Sequence, residues 1–387
     1  MWRGKTLTSE ILILNKENIA LASDTRITVN DEKTFDGADK IFQISNKPPM
    51  AMMIYGKPNI TGVPFETTLL DYKQKTNFNT TNTTNKIMKD FIKFMEKYAN
   101  KYGEDTTDKI TIKIKKFEKK LTKELQNNTT TPIQTLENII NESDLTLYNL
   151  LKEKQLLNKI PKTQFKKIAN KYFKNENTKH IQDLLIKSYL SGIDGLGIVI
   201  AGFNENTIYP SYSSYKIFGK FDDEILYKKI DEKIESKEAQ IISFAQNEII
   251  NSFLHGIDEE TLNLIENFTS KLLKGNLDLI EQYNKEKIKS KDLNNFINSI
   301  NLKNQEYLQY FFNLLNYNIH YYFLDILDSV DSLPKKDFSE LAEFFIRMSS
   351  FKYKLTSNQT TVGEDINVAL VSKKTGFQWM KYENLFK

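Results

Sequence analysis

The sequence predicts an α+β protein, folded as a four-layer αββα sandwich with long helical insertions. Short apolar strands come in adjacent hairpins near both ends of the 387-residue chain, and helical periodicity fills the stretches between them. Because strands that follow one another in hairpins pair antiparallel, they argue against a doubly wound parallel fold. Their continuous apolar runs indicate that both faces of each sheet are covered, one by the other sheet and one by helices.

The first part of the core is predicted to cover residues 8–75. Its two opening strands are apolar runs joined by a polar turn at residues 15–18, which is typical of a hairpin. Two more strands flank a turn with adjacent prolines, and a helix begins after Pro64. The predicted strands are residues 8–14, 19–24, 40–44 and 51–55.

The rest of the chain alternates between helical and strand-rich stretches. Low-complexity Asn/Thr sequence opens a helical insertion predicted at residues 76–190. Central strands of the core follow at residues 191–222, and a second helical insertion is predicted at residues 223–337. The last helix and a C-terminal hairpin of the core occupy residues 338–387.

The second insertion contains a run of aromatic residues. We interpret this run as the hydrophobic core of the insertion, because aromatic side chains at helical spacing generally pack against neighbouring helices. An interaction surface is the alternative. The run consists of Tyr307, Tyr310, Phe311, Phe312, Tyr321, Tyr322 and Phe323.

Composition narrows the classes of function. The chain carries 54 basic and 50 acidic residues, a net charge of +4, and shows no basic stripe interleaved with aromatics, which argues against nucleic acid as a partner. It contains no cysteine, so disulfides, thiolate metal sites and a cysteine nucleophile are excluded. Because His180, His255 and His320 lack metal-ligand spacing, we expect no metal site.

The hydropathy of the chain bears on where it works. No apolar run reaches the length of a membrane span, and the first residues lack the apolar region of a secretory signal. We therefore expect a cytoplasmic protein that has no membrane partner.

Three residues near the N-terminus, with a hydroxyl, a carboxylate and an ammonium group, are equally spaced in the sequence. Thr8 opens the first predicted strand, Asp24 ends the second sixteen positions later, and Lys40 begins the third after sixteen more. Singly, each residue has an ordinary interpretation, as a β-branched strand residue, a turn acceptor and an edge-strand lysine. Together they favour the catalytic set of a hydrolase that uses its own N-terminal residue as nucleophile.

The chemistry requires a cut between Leu7 and Thr8. Thr8 then gains a free α-amine, whose pKa of about 7.7–8.0 suits a base near neutrality, and its Oγ attacks an amide carbonyl to form an acyl-enzyme. A buried Lys40 ammonium favours the alkoxide, while Asp24 keeps that ammonium charged and oriented. The backbone N–H of Gly56, at a strand end before a helix, is the predicted donor to the oxyanion.

These segments resemble proteasome β subunits and their bacterial ring-peptidase relatives, which belong to the N-terminal nucleophile (Ntn) hydrolase superfamily. The similarity rests on a threonine that begins an apolar hairpin and on the turn Ser-Asp-Thr-Arg-Ile-Thr at residues 23–28. The family's catalytic lysine falls on Lys40 without a gap, and its oxyanion glycine matches Gly56 after an insertion of two residues. The likeness covers about residues 8–75, 196–220 and 338–381.

The resemblance implies a divergent, bacterial-type threonine protease or related amidohydrolase. Such an enzyme would process itself between Leu7 and Thr8 and act on a peptide or other amide substrate, without a metal or an organic cofactor. The resemblance also implies a homo-oligomer, since the relatives assemble into rings.

Some features of the family are missing, and a second hypothesis stays open. Leu7 stands where active relatives have glycine, and no helper serine is found near Gly219. The family's other helper aspartate and serine fall on Gln359 and Val362. The alternative is a catalytically inactive proteasome-like scaffold or binding protein that retains residues 1–7 and binds its partner through the helical insertions.

Overall fold

The chain forms a mixed α+β structure, which confirms the predicted class. The structure, a computed structural model, describes residues 9–383 apart from residues 30–32, 60, 79–82, 128–130, 142, 175, 246–247, 286–289 and 357–364. It divides into two compact units: residues 1–246 together with 335–387, and residues 247–334.

The first unit contains all the strands in the described part of the chain. They are β1 (Ser9–Leu14), β2 (Asn18–Asp24), β3 (Ile27–Val29), β4 (Lys33–Phe35), β5 (Ile41–Asn46), β6 (Pro49–Gly56), β7 (Leu196–Phe203), β8 (Pro210–Phe221), β9 (Glu224–Lys233), β10 (Gln240–Ala245), β11 (Ile366–Ser372) and β12 (Gly376–Lys381). They form two five-stranded antiparallel sheets, ordered β10-β1-β2-β11-β12 and β5-β6-β7-β8-β9, and a small β3-β4 ribbon.

Helices fill the stretches between the strands. They are α1 (Phe65–Lys75), α2 (Thr84–Tyr102), α3 (Thr106–Asn127), α4 (Pro132–Asn141), α5 (Thr146–Glu153), α6 (Lys162–Tyr172), α7 (Thr178–Ser191), α8 (Glu248–His255), α9 (Glu259–Lys285), α10 (Ser290–Asp331) and α11 (Lys335–Thr356), with a short 3₁₀ turn at Leu156–Lys159. None of the helices in the described ranges combines the length and the apolar character that a membrane crossing requires.

The apolar runs of β1 and β2 are buried along their whole length, as their composition predicts. On one face, Leu12 and Leu21 share a hydrophobic cluster with Met53 and Val199 of the other sheet. Residues of both five-stranded sheets therefore meet in one core. Apolar burial of this kind stabilises the fold by about 25 cal/mol for each Å² removed from water.

Helices contact both five-stranded sheets. Helix α11 contacts β1, β2 and β11, and its residues Phe338 and Phe345 are fully buried. Helices α1 and α2 share a second cluster with β6, β7 and β8. Helices α3–α7 build a third cluster, which includes Phe218 and Phe221 of β8. The first helical insertion thus belongs to the same unit as the sheets.

Strands β9 and β10 differ from the sequence prediction, which placed a helical insertion over residues 223–337. Each is an edge strand, β9 of one five-stranded sheet and β10 of the other. Most residues of β9 are exposed and several are charged. Charged side chains are common on edge strands, where they oppose pairing with the strand of another molecule. Such a strand lacks the apolar run by which the buried strands were recognised. The second helical stretch begins only at α8.

The second unit consists of α8, α9 and α10, and both α8 and α9 contact α10. Interpreting the aromatic run as its core is wrong for most of the run. Phe312 and Phe323 are partly buried. The other members are exposed: Tyr307, Tyr310, Phe311, Tyr321 and Tyr322.

Candidate active site

Lys40 binds two buried carboxylates at the ends of the first strands. Its Nζ lies 2.5 Å from Oδ1 of Asp24 and 2.9 Å from Oε1 of Glu10. The side chain of Lys40 is 4% exposed, and both carboxylates are completely buried. The structure thus brings together two of the predicted site residues, Asp24 and Lys40, and adds Glu10 to them.

Backbone contacts hold these three side chains in place. Glu10 lies in β1 opposite Ser23 of β2, and Asp24 is the last residue of β2. The backbone N–H of Ser9 donates to Oδ1 of Asp24 at 3.2 Å. The carbonyl of Lys40 accepts from the N–H of Ile54, in β6 of the other sheet, at 2.9 Å. The cluster is therefore anchored to strands of both five-stranded sheets.

The surroundings of Lys40 determine its protonation state. Burial by itself lowers the pKa of the ammonium, because an apolar environment disfavours charge. The carboxylates of Asp24 and Glu10 outweigh that effect, so the pKa of Lys40 lies above its ordinary value. Lys40 is consequently a fixed cation at neutral pH. It can stabilise a negative charge, but it cannot act as a base.

Glu10 is a site residue that we did not predict from the sequence. It is the one charged residue of β1, whose sequence is Ser-Glu-Ile-Leu-Ile-Leu. A carboxylate inside a strand that is buried on both faces needs a cationic partner, since an isolated buried charge is very costly. That requirement was the available signal: it called for a cationic side chain close to Glu10.

Gly56 ends β6 in a conformation that favours glycine. Its φ is +84°, and an added Cβ would lie 2.4 Å from the carbonyl oxygen of Gly195. The residue is paired with Leu196 at the start of β7. It follows Ile54 by two positions and therefore lies on the strand that binds the carbonyl of Lys40. Close approach of β6 and β7 explains this glycine, and its role as an oxyanion donor stays a prediction.

An aromatic pair lies beside Glu10. The ring of Tyr55, in β6, stacks on Phe244 of β10 with centroids 5.2 Å apart, and Phe244 is the register partner of Glu10. Burial raises the pKa of Tyr55 to about 12, and the charge of Glu10 adds to the shift. Tyr55 therefore remains a neutral phenol near neutral pH.

Buried polar groups continue across three neighbouring strands. Ser23 is the register partner of both Glu10 and Asn367. Among the described residues, the Oγ of Ser23 and the Nδ2 of Asn367 have no hydrogen-bond partner although both atoms are buried. Buried polar atoms without partners are rare in folded proteins. Ser23 and Asn367 were not predicted from the sequence as site residues, although Ser23 begins the turn at residues 23–28.

The predicted nucleophile itself lies outside the described residues. Thr8 comes directly before Ser9, the first residue that the structure describes, and Leu7 lies outside the described part as well. The same is true of Gln359 and Val362. The described part of the site therefore comprises the Asp24–Lys40–Glu10 cluster, Gly56 and the neighbouring polar groups.

Among the described residues, no three side chains of His, Cys, Asp or Glu lie together as metal ligands.

Comparisons with known proteins do not identify a family for this chain. No protein-family model matches the sequence, and no curated protein matches it.

Proposed function

We propose that this chain is a threonine-type amidohydrolase of the proteasome-like Ntn class, with Thr8 as nucleophile and a peptide or other amide as substrate. The observation that carries the proposal is the buried ion pair between Lys40 and Asp24, whose Nζ and Oδ1 atoms lie 2.5 Å apart. These are the lysine and the aspartate that match the catalytic residues of the family. Two residues that are sixteen positions apart in sequence meet as the proposed chemistry requires. We further propose that the enzyme works in the cytoplasm.

The proposed fold is the four-layer αββα sandwich of that class. In support, the two five-stranded sheets share one hydrophobic cluster. Helix α11 packs against β1, β2 and β11, while α1 and α2 pack against β6, β7 and β8. Each sheet thus has helices among its neighbours as well as the other sheet, which is the pairing of layers that buries both faces of an apolar strand.

The proposed mechanism begins with cleavage between Leu7 and Thr8. The free α-amine of Thr8 takes the proton from its Oγ, and Oγ bonds to the carbonyl carbon of the substrate amide. The C–N bond breaks, the leaving amine takes the proton from the α-ammonium, and a water then hydrolyses the ester to release the acid. Because its pKa is raised, Lys40 serves as the cation that stabilises the alkoxide, and Gly56 N–H binds the oxyanion.

A catalytically inactive scaffold that retains residues 1–7 is the second candidate, and Glu10 favours it. The Lys40 ammonium binds Glu10 at 2.9 Å in addition to Asp24. A second carboxylate at this distance offsets part of the positive potential that a developing alkoxide would experience. An ammonium held in this way supports a buried structural cluster as readily as it supports catalysis.

The intact mass and the N-terminal sequence of the purified protein test the proposal. We expect the wild type to begin at Thr8 after incubation and Thr8→Ala to keep residues 1–7. Thr6→Ala is the matched control, because it makes the same change two positions upstream, and it should be processed like the wild type.

A second preparation, released by a protease so that it begins at Thr8, separates processing from catalysis. We expect it to hydrolyse peptide amides, whereas the same preparation with alanine at position 8 should not. If the wild type keeps residues 1–7 and the released protein has no activity on a broad peptide library, the hydrolase proposal is wrong and the scaffold is favoured.

A further inference from the structure

One face of the long helix α10 exposes a band of aromatic and aliphatic side chains. Tyr307, Tyr310 and Tyr317 are about two-thirds exposed, at 67%, 65% and 65%. The rings of Tyr317 and Tyr321 lie side by side, with centroids 6.4 Å apart and planes 22° apart. The band, here called the aromatic face, consists of Tyr307, Tyr310, Phe311, Leu314, Tyr317 and Tyr321.

The aromatic face is separate from the face by which α10 packs within its own unit. The residues of the packed face are partly buried: Leu308, Phe312, Leu315, Ile319 and Phe323. They recur every three or four positions, and so do the residues of the aromatic face. At 3.6 residues per turn the two sets point to different sides of the helix. Helix α10 therefore has two apolar faces, one partly buried and one exposed.

The exposed area is large enough for association. Aromatic side chains present about 150–250 Å² each, so six large side chains at roughly half exposure present on the order of 600 Å². That value reaches the upper end for a surface patch on a monomer, which is about 300–600 Å². Two such faces in contact would bury about 1,200 Å², the lower end for specific protein interfaces.

The charges along α10 argue against a lipid surface as the occupant. No Lys or Arg occurs between Lys303 and Lys335, and no residue from 307 to 324 is acidic or basic apart from His320. Helices that lie on membranes typically carry Lys and Arg beside their apolar face. Here the charges that follow the aromatic face are Asp325, Asp328 and Asp331, which anionic lipids repel.

The order of residues along the face is symmetric about Leu314. Lys303 and Asp325 lie eleven positions before and after it, Tyr307 and Tyr321 seven, and Phe311 and Tyr317 three. The successive steps from Lys303 to Asp325 are four, four, three, three, four and four residues, which keeps all of them on one side of a helix. An antiparallel pairing of two copies would therefore place aromatic against aromatic and Lys303 against Asp325.

We propose that the aromatic face binds the same face of a second copy of this chain, with the two α10 helices antiparallel and Leu314 at the two-fold axis. A two-fold contact requires a surface that is complementary to itself, and the mirrored order of apolar and opposite charges provides it. In the single chain Lys303 pairs with Glu306 at 3.0 Å, with both side chains 67% exposed, so little is lost when Lys303 changes partner. The inference does not depend on the proposed hydrolase.

Sedimentation velocity of the full chain over a wide range of concentrations tests the pairing. We expect a dimer that dissociates on dilution. Leu314→Glu places two like charges at the axis and should weaken association by about tenfold or more. The matched control Asn316→Glu puts the same charge on an exposed position off the aromatic face and should leave association unchanged. A monomer at all concentrations, or a Leu314→Glu dimer as tight as the wild type, overturns the proposal.

Charge reversal tests the antiparallel register. Lys303→Glu and Asp325→Lys should each weaken the dimer, and the double variant should recover wild-type association, since it restores both symmetric ion pairs. Both residues are exposed, and far-UV circular dichroism should show unchanged helix content. A double variant that is no tighter than either single variant contradicts this register and overturns the proposed pairing.

Discussion

Two regions depart in opposite directions from the usual rule that charged side chains are exposed and apolar ones are buried. They are the cluster of Glu10, Asp24 and Lys40 in the first unit and the aromatic face in the second. The first buries Glu10, Asp24 and Lys40 completely or nearly so. The second exposes tyrosines that would ordinarily be covered. Buried charge and exposed apolar area are the two features of a folded chain that call for a functional explanation. The fold should depend strongly on the buried charges and little on the aromatic face. Substitutions in the two regions should therefore change the free energy of unfolding by different amounts.

Replacing Lys40 by methionine should lower the stability far more than any substitution at the aromatic face. Methionine keeps much of the length of the side chain but removes the cation that Asp24 and Glu10 bind at 2.5 and 2.9 Å. Removing one partner of a buried ion pair typically costs about 3–5 kcal/mol. We expect the free energy of unfolding, measured by urea titration, to fall by about that amount.

Lys154→Met is the control for this substitution. Lys154 pairs with Glu224 at 2.8 Å, a comparable distance, but the two side chains are 51% and 57% exposed. Water screens such a pair, and its loss should cost at most about 1 kcal/mol. Equal losses in the two variants would show that burial of the Lys40 cluster contributes nothing special.

Alanine substitution of glycine should have opposite effects in the two units. At Gly56, the φ of +84° and the carbonyl of Gly195, 2.4 Å from an added Cβ, strain any other residue. Gly56→Ala should lower the free energy of unfolding by about 1–3 kcal/mol. Gly275 lies inside α9 with nothing within 4 Å of an added Cβ, so Gly275→Ala should raise it by about 0.5–1 kcal/mol. A stable Gly56→Ala protein would remove the backbone explanation for that glycine.

The sequence predicted more of the buried site than of the exposed face. Apolar runs mark β1, β2, β6 and β7 because these strands are covered on both sides, so composition reports their burial directly. Asp24 and Lys40, which the sequence analysis selected together, are in contact in the structure. Glu10 was missed, since a carboxylate in a buried strand requires a cationic partner but does not identify which lysine supplies it until the strands are placed in the fold.

The aromatic face shows why helical periodicity has limits. Tyr310 and Phe312 are both aromatic members of the same helix, yet one is exposed and the other partly buried. Period and composition establish that α10 has apolar faces, but which face packs depends on where α8 and α9 lie. Edge strand β9 escaped prediction for a related reason, because its charged residues protect an edge whose position only the assembled sheet defines.

A smaller effect on the free energy of unfolding is expected when the ion pair between Arg26 and Asp36 is removed. In this pair, Nε and Nη2 of Arg26 donate to the two carboxylate oxygens of Asp36 at 2.7 and 2.8 Å. The hydrogen bond from Arg26 lowers the pKa of Asp36 below its ordinary 3.8. A lowered pKa stabilises the fold above the unfolded value, and that contribution disappears as pH falls through the folded value. Because Asp36 is 41% exposed, Asp36→Asn should cost at most about 1 kcal/mol near neutrality. Urea titrations should show the difference from wild type vanishing in acid, and a constant difference would exclude this linkage.

The smallest effect on stability is expected at the aromatic face. Tyr317 is 65% exposed, so Tyr317→Ser should change the free energy of unfolding by no more than about 0.5 kcal/mol when the protein is dilute enough to be monomeric. The same substitution at Tyr215, which is 2% exposed and donates to Oδ1 of Asn85 at 2.7 Å, should cost about 3–5 kcal/mol. At higher concentrations Tyr317→Ser should lose the extra stability that dimer formation gives the wild type. If Tyr317→Ser proved as costly as Tyr215→Ser in dilute solution, the aromatic face would belong to the folding core, and the contrast with the buried charges would fail.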